Sequence, residues 1–426
     1  MWNRLGTIGR AALLIFLAQR IGDLLNFTAG LWLVPKHATE AELSVLRPLE
    51  SICGMIGIPI SILTWPCIKA LNKHALRGET GKAKALMRDM FAFCAAAIVL
   101  IIAVSSAALP WILRRWNIGN GHLAVTIITS AVLGALLPVF FGAMQAMKQF
   151  RAYSFVSCVS PFARFITLWL LLPLRGLTGF FAGAGAASLV GVATAVWRYF
   201  RDFGRKVRGE PYWHDDRAIF AAFIFPLVLG SSTSAFSGFA QISMLKWIPI
   251  PDAAAYYILT RFSDIVGYAA GALTFVLFPV FSERHEAGAD SGRTLVYGMT
   301  FCIATGAVAG IAFTLCGPLL LGMNALWRPY AGYSELFWIL TLTTGIRLAY
   351  SYFTMREIAA LRFTHTYVSS AVNIAAGLAI YAVSKTPRYA TFGLREVLLA
   401  YLAPSFTVFL YALAVLAIRR KRNGKI

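Results

Sequence analysis

Six ionisable side chains lie inside apolar stretches of the chain and are the first candidates for chemistry. They are Arg20, Asp23, Arg164, Arg261, Asp264 and Arg347. A guanidinium group stays charged and binds phosphate oxygens in bidentate fashion, so the four arginines are candidates for binding an anionic substrate. Each aspartate follows an arginine by three residues, a spacing that places both side chains on one face of a helix.

The two aspartates have more than one interpretation. Asp23 and Asp264 can orient the guanidinium groups of Arg20 and Arg261, or carry a proton that couples to transport. Alternatively, each arginine–aspartate pair only neutralises itself on the surface of its helix. We expect the orienting role, with Arg20, Arg164, Arg261 and Arg347 as substrate-binding residues.

The composition indicates which kind of protein positions these groups. Hydrophobic residues make up 58% of the 426 residues, charged residues 13%, and the mean hydropathy is +0.68. This balance excludes a soluble enzyme, a disordered chain and a disulfide scaffold. The net charge is +21, but the basic residues lie mostly between apolar runs, which favours orientation in a membrane over nucleic-acid binding.

Twelve apolar segments are long enough to cross a bilayer core about 30 Å thick. They cover residues 5–34, 43–71, 88–113, 122–147, 154–174, 177–200, 218–245, 255–281, 294–321, 332–356, 364–383 and 394–418. With both termini in the cytoplasm, most of the lysines and arginines outside the spans fall on the cytoplasmic side, as the positive-inside rule requires. An arginine at membrane depth costs about 2.5–3.5 kcal/mol, so it should face a partner or a wet cavity.

A polar stretch divides these segments six and six. We expect an N-terminal six-helix bundle (residues 1–200), a cytoplasmic linker (201–217), a C-terminal six-helix bundle (218–418) and a basic cytoplasmic tail (419–426). Each half contains an arginine, an acid three residues later, paired glycines and a distant proline, beginning at Arg47 and at Arg261. This repeat predicts two pseudo-symmetric bundles around a central cavity, an arrangement typical of transporters.

Two segments carry a family resemblance. Residues 66–86 combine a proline, a basic amphipathic stretch, Gly78-Glu79 and a restarting Lys-Ala-Leu helix, and residues 252–261 with 278–283 form a similar second-half segment. Both resemble the polysaccharide-transport (O-antigen/lipid-linked oligosaccharide flippase) branch of the multidrug/oligosaccharidyl-lipid/polysaccharide exporter superfamily. The resemblance implies a flippase that moves a polyprenyl-pyrophosphate-linked oligosaccharide across the bacterial inner membrane. It also implies membrane lipids, a glycan polymerase or glycosyltransferases as partners, and no nucleic acid.

Other classes are weighed against this one. A cation-coupled multidrug antiporter of the same superfamily stays open, although its buried groups should be acids, whereas the buried charges here are mainly cationic. A membrane scaffold without transport also stays open. The loop after the second segment lacks the Asp-Arg element of the major facilitator superfamily. The chain has no phosphate-binding loop, no metal-ligand spacing and no catalytic triad, so we expect neither an enzyme nor a cofactor.

Overall fold

The computed structural model describes residues 2–116, 118, 121–147, 149–202, 209–286, 292–387 and 391–422. Across these residues the regular secondary structure is entirely helical, which confirms the predicted all-α class. The α-helices are α1 (Trp2–Thr28), α2 (Val34–His37), α3 (Glu40–Ile56), α4 (Ile58–Ser61), α5 (Thr64–Arg77), α6 (Thr80–Arg115), α7 (Gly121–Ala146), α8 (Phe150–Arg175), α9 (Leu177–Asp202), α10 (Trp213–Met244), α11 (Ile250–Glu286), α12 (Gly292–Gly322), α13 (Phe337–Ala359), α14 (Thr364–Val383) and α15 (Leu394–Arg422).

Several of these helices have the length and hydropathy of membrane spans. Eight described helices qualify by themselves, namely α6, α7, α8, α9, α10, α12, α14 and α15. A ninth candidate is the bent pair formed by residues 40–56 and 58–75, whose two parts meet at 49°. The helices α1, α11 and α13 have 27, 37 and 23 residues and are also long enough to cross a bilayer core. The chain is therefore a multi-pass membrane protein.

The second predicted span is a broken helix rather than a continuous one. Gly57 separates α3 from α4, and Pro59 occupies the first turn of α4. A Cβ atom at Gly57 would lie 2.9 Å from the Cβ atom of Ala135, so the glycine allows the break to pack closely against α7. A proline cannot donate the backbone hydrogen bond that a continuous helix requires at its position, which explains the interruption there.

The chain divides into two compact units. Unit 1 contains Met1–Ala38 and Leu49–Ser231, and unit 2 contains Thr39–Pro48 and Ser232–Ile426. The division falls within α3 and within α10. The domain boundaries expected from the sequence, the pseudo-symmetry and the central cavity remain predictions.

Glycines allow close helix contacts inside each unit. In unit 1, a Cβ atom on Gly22 of α1 would lie 2.6 Å from the carbonyl oxygen of Ser157 on α8. In unit 2, a Cβ atom on Gly306 of α12 would lie 2.7 Å from the carbonyl oxygen of Thr341 on α13. Small residues let helix backbones approach closely where lipid gives no hydrophobic driving force between helices. The first contact holds together α1 and α8, which carry Arg20 and Arg164, and the second holds α12 against α13, which carries Arg347.

Candidate functional site

An aspartate shared by two arginines forms the centre of a charged cluster in unit 2. Asp264, on α11, accepts a hydrogen bond from Nη2 of Arg47 at 2.9 Å through its Oδ2 atom. The same oxygen lies 3.4 Å from Nη1 of Arg261, one helical turn earlier on α11. Nε of Arg47 also donates to Oγ1 of Thr260 at 2.8 Å, so Arg47 is held by two residues of α11.

Both guanidinium groups also contact one aromatic ring. The central carbon of Arg261 lies 4.7 Å from the ring centroid of Tyr257, and that of Arg47 lies 5.9 Å from it. The side chain of Tyr257 is fully buried, and Arg261 is only 9% exposed. The negative face of an aromatic ring attracts cations, so Tyr257 offsets part of the cost of placing two guanidinium groups at this depth.

Arg347 contributes a third cation from α13. It lies within electrostatic range of the hydroxyl groups of Tyr256 and Tyr401, and Arg47 acts on the same two hydroxyls. The two tyrosine rings are 5.9 Å apart. Arg347 is exposed, and it makes no hydrogen bond or ion pair with a residue that the structure describes.

We define the unit-2 cluster as Arg47, Arg261, Arg347 and Asp264. Its three guanidinium groups and one carboxylate give it a formal charge of about +2, since arginine stays protonated at any physiological pH. The predicted orienting role of Asp264 is compatible with this geometry, because one carboxylate oxygen contacts two guanidinium groups.

The corresponding groups of unit 1 are paired differently. Arg20 and Asp23 form the ion pair expected from their spacing, with Nη2 of the arginine 2.9 Å from Oδ2 of the aspartate. The guanidinium group of Arg20 also lies 5.2 Å from the ring centroid of Phe16. About a quarter of each side chain in the pair is exposed. The geometry of Arg20 and Asp23 is therefore that of a pair whose two charges neutralise each other, and it is compatible with a further role in binding.

Arg164 has partners on two other helices of unit 1. Nη1 donates to Oδ1 of Asn26 on α1 at 3.2 Å, and Nη2 lies 3.8 Å from Oε1 of Glu50 on α3. The guanidinium carbon lies 5.4 Å from the ring centroid of Phe180. We define the unit-1 cluster as Arg20, Asp23, Glu50 and Arg164, whose two positive and two negative charges balance when both acids are ionised.

Two members of these clusters escaped the sequence-based selection. Arg47 and Glu50 lie near the start of the second apolar segment, and neither was named as a site residue. The signal that could have identified both was the repeated pattern itself, because Arg47 and Glu50 occupy the positions that Arg261 and Asp264 occupy in the second half. Among the described residues, no group of three or more histidine, cysteine or acidic side chains is arranged to bind a metal ion.

Comparison with known proteins gives the fold a name. No family model and no curated protein sequence matches the chain. Solved structures match it over nearly its whole length, among them a mutant of the MATE transporter VcmN from Vibrio cholerae, with 14% identity, coverage of 98% of both chains and a TM-score of 0.68. The chain thus has the fold of MATE transporters.

Two further structural neighbours belong to the multidrug/oligosaccharidyl-lipid/polysaccharide (MOP) superfamily. One is a multidrug resistance MATE family transporter in an inward-facing conformation, with 14% identity, coverage of 96% of this chain and 99% of that one, and a TM-score of 0.66. The other comes from Pyrococcus furiosus, with 14% identity, coverage of 96% and 95%, and a TM-score of 0.66. For that protein, a reversed polarity of the binding pocket suggests a different function.

Proposed function

We propose that the chain is an alternating-access flippase that translocates a polyprenyl-pyrophosphate-linked oligosaccharide across the cytoplasmic membrane. The three guanidinium groups of the unit-2 cluster carry the proposal, because a pyrophosphate is the anionic part of such a lipid and guanidinium groups bind phosphate oxygens well. The MATE-like fold supports transport as the activity. In this proposal the protein resides in the bacterial inner membrane with both termini in the cytoplasm, and acts beside a glycan polymerase or glycosyltransferases.

Each predicted site residue has a role in this proposal. Arg261, Arg347 and Arg47 bind phosphate oxygens. Asp264 orients Arg47 and Arg261, because one of its carboxylate oxygens contacts both guanidinium groups. Arg20 and Arg164 also contact the substrate, and Asp23 orients the guanidinium group of Arg20. We assign the larger share of the pyrophosphate affinity to unit 2, because its cluster contains three arginines and that of unit 1 contains two.

The proposal is tested by measuring transport directly. Purified protein in proteoliposomes should move a fluorescent polyprenyl-pyrophosphate oligosaccharide between leaflets, and Arg261→Ala should abolish that movement. The same substitution should abolish complementation of a strain that lacks its flippase while leaving the membrane abundance of the protein intact. Arg175→Ala removes an exposed arginine at the end of α8 and should change neither readout. Unimpaired surface polysaccharide with Arg261→Ala would contradict the proposal.

A cation-coupled multidrug antiporter is the second candidate. It is favoured by the structural neighbour named as a multidrug resistance transporter. An antiporter for cationic drugs needs a buried acid that exchanges a drug for an ion, and Asp264 would be that acid in unit 2. Loss of drug efflux with Asp264→Asn, together with unaffected glycan export, would select this candidate. The carboxylate of Asp264 already contacts the guanidinium groups of Arg47 and Arg261, which would compete with a cationic drug for it, and this is why we prefer the flippase.

A further inference from the structure

Two tyrosines lie beside the arginines of the unit-2 cluster and have no part in the function proposed so far. Tyr256 belongs to α11, and Tyr401 belongs to α15. Their ring centroids are 5.9 Å apart at an interplanar angle of 32°, and their hydroxyl groups share a hydrogen bond. Tyr256 is 9% exposed, whereas Tyr401 is only partly buried, so Tyr401 is the more accessible member of the pair.

A proline inside α15 explains how Tyr401 is held in place. Pro404 follows Tyr401 by less than one helical turn and has no N–H group to donate to the carbonyl of Ala400. Nε2 of Gln241, a buried side chain on α10, lies 3.5 Å from that carbonyl oxygen and takes the place of the missing donor. A second helix of unit 2 therefore holds the backbone next to Tyr401.

The two hydroxyl groups lie close to two arginines of the unit-2 cluster. The charges of Arg47 and Arg347 both act on the hydroxyl of Tyr256 and on that of Tyr401. Arginine has N–H donors and no acceptor, so neither arginine can accept the proton that a tyrosine donates. Guanidinium and hydroxyl donors are therefore brought together in one region of unit 2.

The tyrosine pair has one more proton than its own hydrogen bond uses. Each phenol carries one proton, and a hydrogen bond between two phenols uses only one of the two. Within the part of the chain that the structure describes, neither hydroxyl has an acceptor other than the other tyrosine. When Tyr256 donates to Tyr401, the remaining O–H group is that of the more accessible Tyr401.

A phosphate group matches this combination of donors. Its oxygens are strong acceptors, and they accept from a charged guanidinium group as well as from a neutral hydroxyl. A hydroxyl also adds a hydrogen bond without adding a further charge, and a further charge would be costly to bury. Tyr401 thus offers a phosphate an additional donor next to Arg347.

We propose that Tyr401 is a further substrate-binding residue of unit 2, whose hydroxyl donates a hydrogen bond to a phosphate oxygen of the lipid-linked pyrophosphate. Tyr256 is a positioning residue, because its hydroxyl donates to Tyr401 and leaves the O–H group of Tyr401 for the phosphate. Arg347 binds the same phosphate from α13. Tyr401 has this role only if the function proposed above is correct, since the pyrophosphate is the guest that it binds.

Titration of the full-length protein in nanodiscs with a short-chain polyprenyl pyrophosphate that carries no sugar tests this role. Tyr401→Phe keeps the ring and removes the hydroxyl, so its Kd should rise by about tenfold, the effect of one hydrogen bond to a charged group. The uncharged polyprenol should bind to wild type and variant alike. Tyr381→Phe is the matched control, since it removes a hydroxyl from an exposed tyrosine on α14, and it should not change the Kd.

A double variant separates positioning from structure. Tyr256→Phe alone should raise the Kd by less than Tyr401→Phe does, because the donor remains but is no longer oriented. The double variant Tyr256→Phe/Tyr401→Phe should bind like Tyr401→Phe, because Tyr256 acts only through Tyr401. It leaves neither tyrosine hydroxyl without its partner, so it reports on binding even if Tyr401→Phe folds poorly.

The possible outcomes distinguish this role from the proposed function. A wild type that binds the polyprenyl pyrophosphate no better than the polyprenol contradicts both. A wild type that binds it better, together with an unchanged Kd in Tyr401→Phe, overturns the role of Tyr401 and leaves the flippase proposal standing. An equal loss of polyprenol binding in Tyr401→Phe would also overturn this role, and losses that add in the double variant would overturn the positioning role of Tyr256.

Discussion

Substitution of Arg347 separates substrate binding from structure more cleanly than any other change in the unit-2 cluster. This arginine is exposed and makes no hydrogen bond or ion pair with the described part of the chain. Arg347→Gln therefore leaves no acid without its partner. Because surface substitutions of this kind usually change stability by less than about 0.5 kcal/mol, the unfolding midpoint should stay at the wild-type value.

The expected loss of affinity follows from the contact that the guanidinium group would make. A hydrogen bond to a charged group contributes about 1.5–3 kcal/mol, and the exposure of Arg347 favours the lower end of that range. A loss of about 1.5 kcal/mol corresponds to about a tenfold increase in Kd. Arg261→Gln should weaken binding as well, but Arg261 is buried against Asp264 and Tyr257, so its substitution also changes contacts inside the protein.

The assay is a titration of nanodisc-embedded protein with a short-chain polyprenyl pyrophosphate. The corresponding uncharged polyprenol measures binding of the lipid tail alone, and its affinity should be the same for wild type and Arg347→Gln. Arg175→Gln controls for a general loss of positive charge and should bind the pyrophosphate like the wild type. An unchanged pyrophosphate Kd in Arg347→Gln, or an equal loss in Arg175→Gln, would refute the assignment of the anion site to unit 2.

Three further predictions concern the units themselves. Gly22→Ala should destabilise the protein by about 1–3 kcal/mol in thermal unfolding, since its Cβ atom has no room against α8, whereas Gly54→Ala should be tolerated because no atom lies within 4 Å of the added carbon. Glu357→Gln should lower the free energy of unfolding by about 2–3 kcal/mol, because the 4% exposed carboxylate accepts hydrogen bonds from both terminal nitrogens of Arg419. A double-mutant cycle of Glu357 with Arg419 that gives a smaller coupling energy would contradict the pairing. A hydrogen bond from the imidazole of His74 lowers the pKa of Glu79. The stability that this carboxylate contributes is therefore complete above its ordinary pKa and is lost as the pH falls through its lowered pKa. Glu79→Gln should remove this loss at acid pH, measured as the pH dependence of the unfolding midpoint.

The sequence predicted the helical class and the helix-local pairs because both depend on short-range patterns. Apolar runs of about 20 residues fix the spans, and a spacing of three residues fixes the pair of Arg20 with Asp23. Hydropathy was less informative where a helix begins with polar residues. The third span was expected from residue 88, but α6 already begins at Thr80, since its first turns are amphipathic and contribute little apolar character.

The long-range partners could not be derived from the sequence. Arg47 and Asp264 are 217 positions apart, and only the packing of α3 against α11 brings them within 2.9 Å. The balanced charge of the unit-1 cluster was hidden for the same reason, because Glu50 reaches Arg164 from a different helix. Nε2 of His74 lies 2.6 Å from Oδ2 of Asp216, which is 142 positions further along the chain. His74 was visible in the loop that carried the family resemblance, but nothing in that pattern indicated this partner.

The break at Gly57 also means that the directions in which Glu50 and His74 point around their helix axes are independent of each other. In a continuous helix, each residue between Glu50 and His74 would turn the second group by a fixed 100° relative to the first. With the interruption between α3 and α5, the rotation of one segment about its axis no longer dictates that of the other. A one-residue deletion near the break should therefore be absorbed there, whereas the same deletion inside α5 would swing His74 away from Asp216.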